Sequence, residues 1–207
     1  MGTTSSLEAY RKKRRFGRTP EPAPRRRPSR SGHLFVVQKH RASHLHYDFR
    51  LEVDGALKSW SVPKGPSLSP AVKRFAIAVE DHPVAYGGFE GIIPEGEYGG
   101  GTVMLWDRGT YRVEPGTDVA AALRRGRLAF TLAGRKLKGA WALVRLRGRH
   151  WLLIKQRDRY ASARDITVAA PTSVLTRRTL ARIAADEGGD VAKAATGDPP
   201  GAVRRRR

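Results

Sequence analysis

The sequence predicts a mainly β fold, an antiparallel barrel or sandwich carrying a few short helices. Three observations predict it. Short apolar stretches, several of them alternating, follow one another through most of the chain. Turn residues separate them, with 22 glycines in 207 residues. Only two segments, 118–125 and 177–185, carry a helical pattern.

Residues 1–32 read as a basic arm, extended and partly flexible. Tyr10-Arg11-Lys12-Lys13-Arg14-Arg15 is a cationic cluster, and Arg25-Arg26-Arg27 is another. Between them, Thr19-Pro20-Glu21-Pro22-Ala23-Pro24 cannot be helical, because each proline disfavours the αR region for its predecessor. Such an arm orders when it meets phosphates. Residues 33–170 read as the barrel domain. His33–Gln38 is the first strand. In Leu45–Val53, the side chains of Leu45, Tyr47, Phe49, Leu51 and Val53 take one face, and His46, Asp48, Arg50 and Glu52 the other. Asp54-Gly55 is a type I′ hairpin signal. Leu57–Val62 returns, and Pro63-Lys64-Gly65-Pro66 ends it. In Phe75–Val79 the alternation sets Phe75, Ile77 and Val79 against Arg74, Glu80 and His82.

Tyr86–Gly101 is glycine-rich but lacks the Gly-Lys-Ser/Thr of a P-loop, so it reads as tight loops. Thr102–Trp106 and Thr110–Val113 read as a hairpin across Asp107-Arg108-Gly109. Asp118–Arg125 is a short helix stopped by Gly126. Leu128–Leu132, Ala140–Leu146 and His150–Gln156 are further strands. Residues 171–207 read as a short terminal helix, Arg177–Ala185, and a disordered basic tail ending in Arg204–Arg207. No internal repeat is evident.

The formal charge of +21 favours a polyanionic partner, most often nucleic acid. The arm holds ten Lys/Arg against two Glu, and residues 33–170 still hold 22 against 13, so the body itself is basic. With no cysteine, a metal site must be built from imidazole and carboxylate. There is neither a bilayer-length apolar run nor the apolar core of a signal peptide. A cytoplasmic, nucleoid-associated protein with no membrane partner is the expectation, and the absence of a coiled-coil or interface stripe reads as a monomer.

The chemistry concentrates around one strand. His46 and Asp48 project from the same face with Cα atoms ~7 Å apart, close enough to share an ion. His40 lies just upstream and can reach the same point, and Arg50 adds a guanidinium fork. Two imidazoles, a carboxylate and an arginine suit metal-assisted work on a phosphate. Other readings compete with it. A polar strand face is often merely solvated. Two His and one carboxylate also form the facial triad of non-haem Fe(II) oxygenases, with His150 as a distal ligand. A basic barrel with Trp60, Trp106, Trp141 and Trp151 could bind nucleic acid without catalysis.

Phe35-Val36-Val37-Gln38-Lys39-His40 leading into Leu45-His46-Tyr47-Asp48-Phe49-Arg50-Leu51-Glu52 resembles the central motif of the 3′-phosphoesterase domain of bacterial DNA ligase D. Trp60-Ser61-Val62-Pro63-Lys64-Gly65-Pro66, Glu80-Asp81-His82-Pro83 with Tyr86, and Phe89–Gly99 resemble its next motifs, and the likeness spans roughly residues 8–170. The resemblance implies a small β-barrel that trims DNA or RNA 3′ ends in break repair by non-homologous end joining. A terminal ribonucleoside leaves as the first product, and the remaining 3′-phosphate is then hydrolysed. It implies a divalent metal, foremost manganese with Zn, Co or Cd as substitutes, on His40, His46 and Asp48. It implies phosphate contacts from Arg50, Tyr86 and His82, the last also as general acid, and further site roles for Lys64, Arg74, Glu80, Arg14 and Glu21. In the arm, Arg14-Arg15-Phe16 stands where the family has Arg-Asp-Phe, so an acidic group is absent at position 15. With no ligase or polymerase module, the chain is expected to be a free-standing member. Its expected partners are a primer-template 3′ end, a separate ATP-dependent DNA ligase/polymerase and a Ku-like end-binding protein.

Overall fold

Alternation and turn chemistry give nine strands among the described residues. The structure, a computed structural model, describes residues 7–202. A one-turn helix α1 (Glu8–Lys12) precedes β1 (Leu34–Arg41), β2 (Leu45–Val53), β3 (Ala56–Val62) and β4 (Lys73–Pro83). A 3-10 turn (Val84–Gly88) leads to β5 (Gly91–Ile93) and β6 (Gly101–Arg112). Then come α2 (Val119–Arg125), β7 (Arg127–Gly134), β8 (Lys138–Arg147), β9 (His150–Lys155), α3 (Ile166–Ala169), α4 (Leu180–Glu187) and α5 (Val191–Ala195). The sheet order β1-β2-β3-β4-β9-β8-β7-β6 closes on itself through β6 pairing with β1, and β5 adds to the β6 edge. Every pairing is antiparallel. Of the two architectures left open above, the chain is the barrel. Among the described residues, no helix is long and apolar enough to cross a membrane.

The interior is aromatic: Phe35, Phe49, Trp60, Trp106, Phe130 and Trp141 belong to one buried cluster. Leu180, Ile183 and Ala184 of α4 and Ala194 of α5 belong to it too, so these two helices plug one end of the barrel. All four tryptophans are at most 5% exposed, which removes them as base-stacking platforms. A smaller cluster lies outside the barrel wall, where Tyr10 of the arm packs with Leu34, Val36, Leu57, Tyr86 and Leu105. Asp54 and Gly55 both have positive φ, 51° and 73°, as the type I′ signal requires.

Four expectations are corrected. The expected hairpin over 102–113 is not formed: residues 102–112 belong to the single strand β6, which carries a bulge opposite Val37 and Gln38. Asp107 is not a turn residue; its carboxylate accepts from the backbone N–H groups of Arg108, Arg135, Lys136 and Leu137, and so anchors the β7–β8 connection. In β4 the inward residues are Ala76 and Ala78, while Phe75 is 42% exposed. A bulge against β3, between the pairs Ser59–Val79 and Leu57–His82, then turns Val79 and His82 to the same outer face, which simple alternation forbids. The arm is not merely extended: α1 and Tyr10 lie against the barrel, and the Tyr10 hydroxyl donates to the Pro22 carbonyl at 2.7 Å. Past residue 185 the chain is ordered through α5, because Asp198 accepts from the N–H groups of Leu180 and Ala181 and ties the segment back to α4. Arg204–Arg207 lie outside the described residues.

Candidate metal centre

Residues 42–44 turn β1 into β2, and the register sets His40 directly opposite His46 and Gln38 opposite Asp48. The two imidazole rings are neighbours, tilted by 54° with centroids 4.8 Å apart. Asp48 lies 3.9 Å from His40 Nδ1 and 3.7 Å from His46 Nε2. One ligand atom from each of the three lies within 4.8 Å of the others. Ligands around one ion at ~2.1 Å are spaced by roughly 3–4 Å, so small rotations bring the three onto a shared sphere.

The donor set fits a divalent cation. His46 Nδ1 donates to the His44 carbonyl at 3.0 Å, which leaves the Nε2 lone pair toward Asp48. His40 Nε2 is buried with no hydrogen-bond partner, an orphaned ring nitrogen that ligation to a cation would satisfy. Burial, reinforced by the neighbouring His46, pushes the His40 imidazole down to about 4, so it is neutral near pH 7. Burial alone would raise the Asp48 carboxyl, but the Arg50 guanidinium and the two histidines outweigh it and hold it below its usual range. A neutral imidazole and an ionised carboxylate are the ligand forms.

The polar face of β2 is not solvated. Arg50 is 2% exposed, and its guanidinium is held at three corners. Nη2 donates to Asp48 at 3.0 Å, Nε to Gln38 Oε1 at 2.9 Å and Nη1 to Ser59 Oγ at 2.7 Å. Gln38 donates in turn to the carbonyls of Tyr86 and Phe89. Glu52 does not pair with Arg50; it accepts from Ser29 and from the Leu34 N–H. The metal group, Arg50, His82 and Tyr86 line one cavity of about 250 Å³, with Arg14, Glu80 and Tyr98 at its arm side.

The arm completes the cavity wall. Arg14 Nε donates to Glu21 at 2.7 Å, Nη1 to Glu80 at 3.2 Å and Nη2 to His82 Nε2 at 3.2 Å, and its guanidinium lies 3.9 Å over the Tyr10 ring. Lys13 donates to both Glu80 and Tyr98, each at 3.0 Å. Glu21 is buried and reaches the cavity only through Arg14. Arg15 is exposed, so the arm docks without an acidic group there. The His82 ring sits 4.7 Å from that of Tyr86; burial, with the charges of Arg50 and Arg14, holds His82 well below the usual histidine value.

Two residues named from the sequence are not gathered in. Lys64 is exposed on the turn after β3, and Arg74 lies opposite Leu153 with its charge felt by Asp165; neither lines the cavity. His150 is opposite Ile77 on β9, outside the metal group, which removes it as a facial-triad ligand. Sequence reading missed Gln38, Ser59, Lys13 and Tyr98. Only Gln38 left a signal: it shares parity with His40 on a strand that is otherwise apolar at that point.

Residues 38–145 match the family model for the DNA ligase D 3′-phosphoesterase domain. The chain is 51% identical over 189 residues to the multifunctional non-homologous end joining protein LigD of Pseudomonas aeruginosa, covering 87% of this chain and 22% of that protein. It is 46% identical over 147 residues to the multifunctional non-homologous end joining DNA repair protein LigD of Mycobacterium tuberculosis (70% and 19%), and 41% identical over 158 residues to LigD of Mycolicibacterium smegmatis (73% and 21%). The chain spans about a fifth of the length of these curated relatives.

Proposed function

The chain belongs to the DNA ligase D 3′-phosphoesterase domain family, and from that membership we propose that it heals nucleic-acid 3′ ends for non-homologous end joining. Its substrates are a primer 3′ end carrying a terminal ribonucleotide, which it cleaves to a 3′-phosphate, and that 3′-phosphate, which it hydrolyses to a 3′-hydroxyl. The observation that carries this reading is the His40–His46–Asp48 group with the Arg50 guanidinium 3.0 Å from Asp48.

His40, His46 and Asp48 would hold a divalent cation, foremost manganese. When bound, such an ion supplies Lewis-acid polarisation of a phosphate oxygen and a more acidic water. Arg50 has five N–H donors, and Asp48, Gln38 and Ser59 take three. The remaining two serve the substrate phosphate. Tyr86 adds its phenol from the cavity wall. His82 is better suited to positioning than to acid catalysis, because its Nε2 accepts from Arg14 and its Nδ1 donates to the Glu80 carbonyl at 2.9 Å. Arg14, steered by Glu21, Glu80 and His82, is the second cation presented to the phosphate. Partnership with a DNA ligase/polymerase and a Ku-like protein belongs to the same reading.

The test is a labelled primer-template ending in a 3′-ribonucleotide or a 3′-phosphate. A 3′-hydroxyl product should form with protein and Mn²⁺, and should be absent with chelator and with His46→Ala. Equal product in all three tubes ends the metal-site assignment; none in any tube ends the phosphoesterase reading.

A further inference from the structure

Residues 119–157 hold eleven Lys/Arg and not one Asp or Glu. They build α2, β7, β8 and β9, so three adjacent strands of the eight-stranded barrel are free of acid. The cations are densest at the β8–β9 turn, where Arg145, Arg147 and Arg149 are exposed, with Arg145 reaching the Arg124 carbonyl.

Strand register joins this turn to the metal centre. Asp48 is opposite Ser61, Ser61 opposite Ile77, Ile77 opposite His150, and His150 opposite Arg147. Partners across an antiparallel ladder share a face, so this row crosses the outside of the barrel from β2 to β9. At ~4.8 Å per strand, His150 is roughly 14 Å from the metal group. The other end of the row is sealed, because Gln38 is capped by the carbonyls of Tyr86 and Phe89. Among the described residues, the open direction along the row leads to the basic turn.

The outer surface along that direction is apolar where a solvated face would be polar. In β9 the outward residues are His150, Leu152 and Ile154, all half-buried. Phe75, opposite Leu152, is 42% exposed, and its ring packs 5.3 Å from that of His150. An exposed ring beside a row that ends in guanidinium groups is what a single nucleic-acid strand needs: a flat face for a base and cations for its phosphates. A protein partner would have to supply carboxylates of its own here, whereas a nucleic acid carries a charge at every residue.

We infer that Phe75 and His150, with Arg147 and Arg149, bind an unpaired strand whose 3′ end lies at the metal centre. At ~3.4 Å per stacked nucleotide, contact falls about four nucleotides in from the end. The inference takes from the phosphoesterase reading only which end of the strand sits at the metal.

The test is fluorescence anisotropy with labelled single-stranded DNA 3′-phosphates of two and eight nucleotides, in chelator, so that no turnover is needed. Phe75→Ala should weaken the octamer about tenfold and leave the dimer unchanged. Phe75→Trp should restore octamer binding. Arg147→Ala with Arg149→Ala should flatten the salt dependence of octamer binding by about 1.4 in the log–log slope. Unchanged octamer affinity and slope overturn the inference and leave the patch to a protein partner. Equal weakening of both oligonucleotides by Phe75→Ala overturns it as well, by pointing to damage at the cavity. Octamer binding that depends on Phe75, in a protein that releases no phosphate, would keep the strand site while the phosphoesterase reading falls.

Discussion

Arg14 Nη2 lies 3.2 Å from His82 Nε2. A guanidinium can only donate, so Nε2 is the acceptor, and the proton is on Nδ1, which donates to the Glu80 carbonyl at 2.9 Å. The imidazole is locked neutral between Arg14, Arg50, Tyr10, Tyr86 and Glu80. Its folded value is depressed below the unfolded value near 6.5. Above that pH neither state is protonated and the group contributes nothing. Below it the unfolded chain gains a proton that the folded chain refuses, so stability falls as pH drops, by up to ~1.4 kcal/mol per pH unit. Urea melts of the chelated protein from pH 8 to 5 should show this acid loss. His82→Asn, which keeps a donor toward Glu80, should show a shallower loss. Parallel acid limbs for the two proteins would refute the neutral assignment.

Cation binding should stabilise the fold, since the three ligands come from the two strands of one hairpin and only the folded chain presents them together. Manganese at 100 times its dissociation constant adds ~2.7 kcal/mol. For a chain of this size that raises the melting temperature by about 5–10 °C. His46→Ala should melt at the same temperature with and without manganese. A shift that survives in the variant would mean that the ion binds elsewhere.

Gln38 tests whether the support around Asp48 matters. It accepts from Arg50 and donates to two carbonyls, so Gln38→Ala frees the guanidinium that orients Asp48. Manganese affinity, or turnover at saturating metal, should fall about 10- to 100-fold. The melting temperature of the metal-free variant separates a local effect from a collapsed site, and wild-type metal affinity would count against the relay.

The gathering of His40, His46 and Asp48 was legible because it needs only parity and proximity. His46 and Asp48 sit two apart on an alternating strand, and His40 lies at the same distance from the turn on the paired strand. What could not be read depends on register between distant strands. Ser59 matters because it meets Arg50 across β2 and β3, and nothing in Leu57–Val62 marks it. The β4 bulge that brings Val79 and His82 to one face has no local signature, since the extra residue is absorbed by pairing rather than by glycine or proline. Asp107-Arg108-Gly109 has turn chemistry but is held straight by β1 on one side, while its carboxylate serves another turn.

The C-terminal segment was misread for a related reason: its order comes from a buried charge pair rather than from helix propensity. Lys39 and Asp198 each expose 1% of the side chain, and their charged atoms lie 3.9 Å apart. Asp198 also accepts from the N–H groups of Leu180 and Ala181 at the start of α4. Removing one member of a buried pair strands the other, so Asp198→Ala should cost about 3–5 kcal/mol. Lys39→Met alone leaves Asp198 its two backbone donors and should cost less. In the double variant no buried ammonium is stranded, and its loss should be smaller than the sum of the single losses by more than 1 kcal/mol. Denaturant melts of the four proteins measure that coupling. Additive losses would mean that the two charges do not act on each other, and that α4 and α5 hold the barrel end through Leu180, Ile183, Ala184 and Ala194 alone.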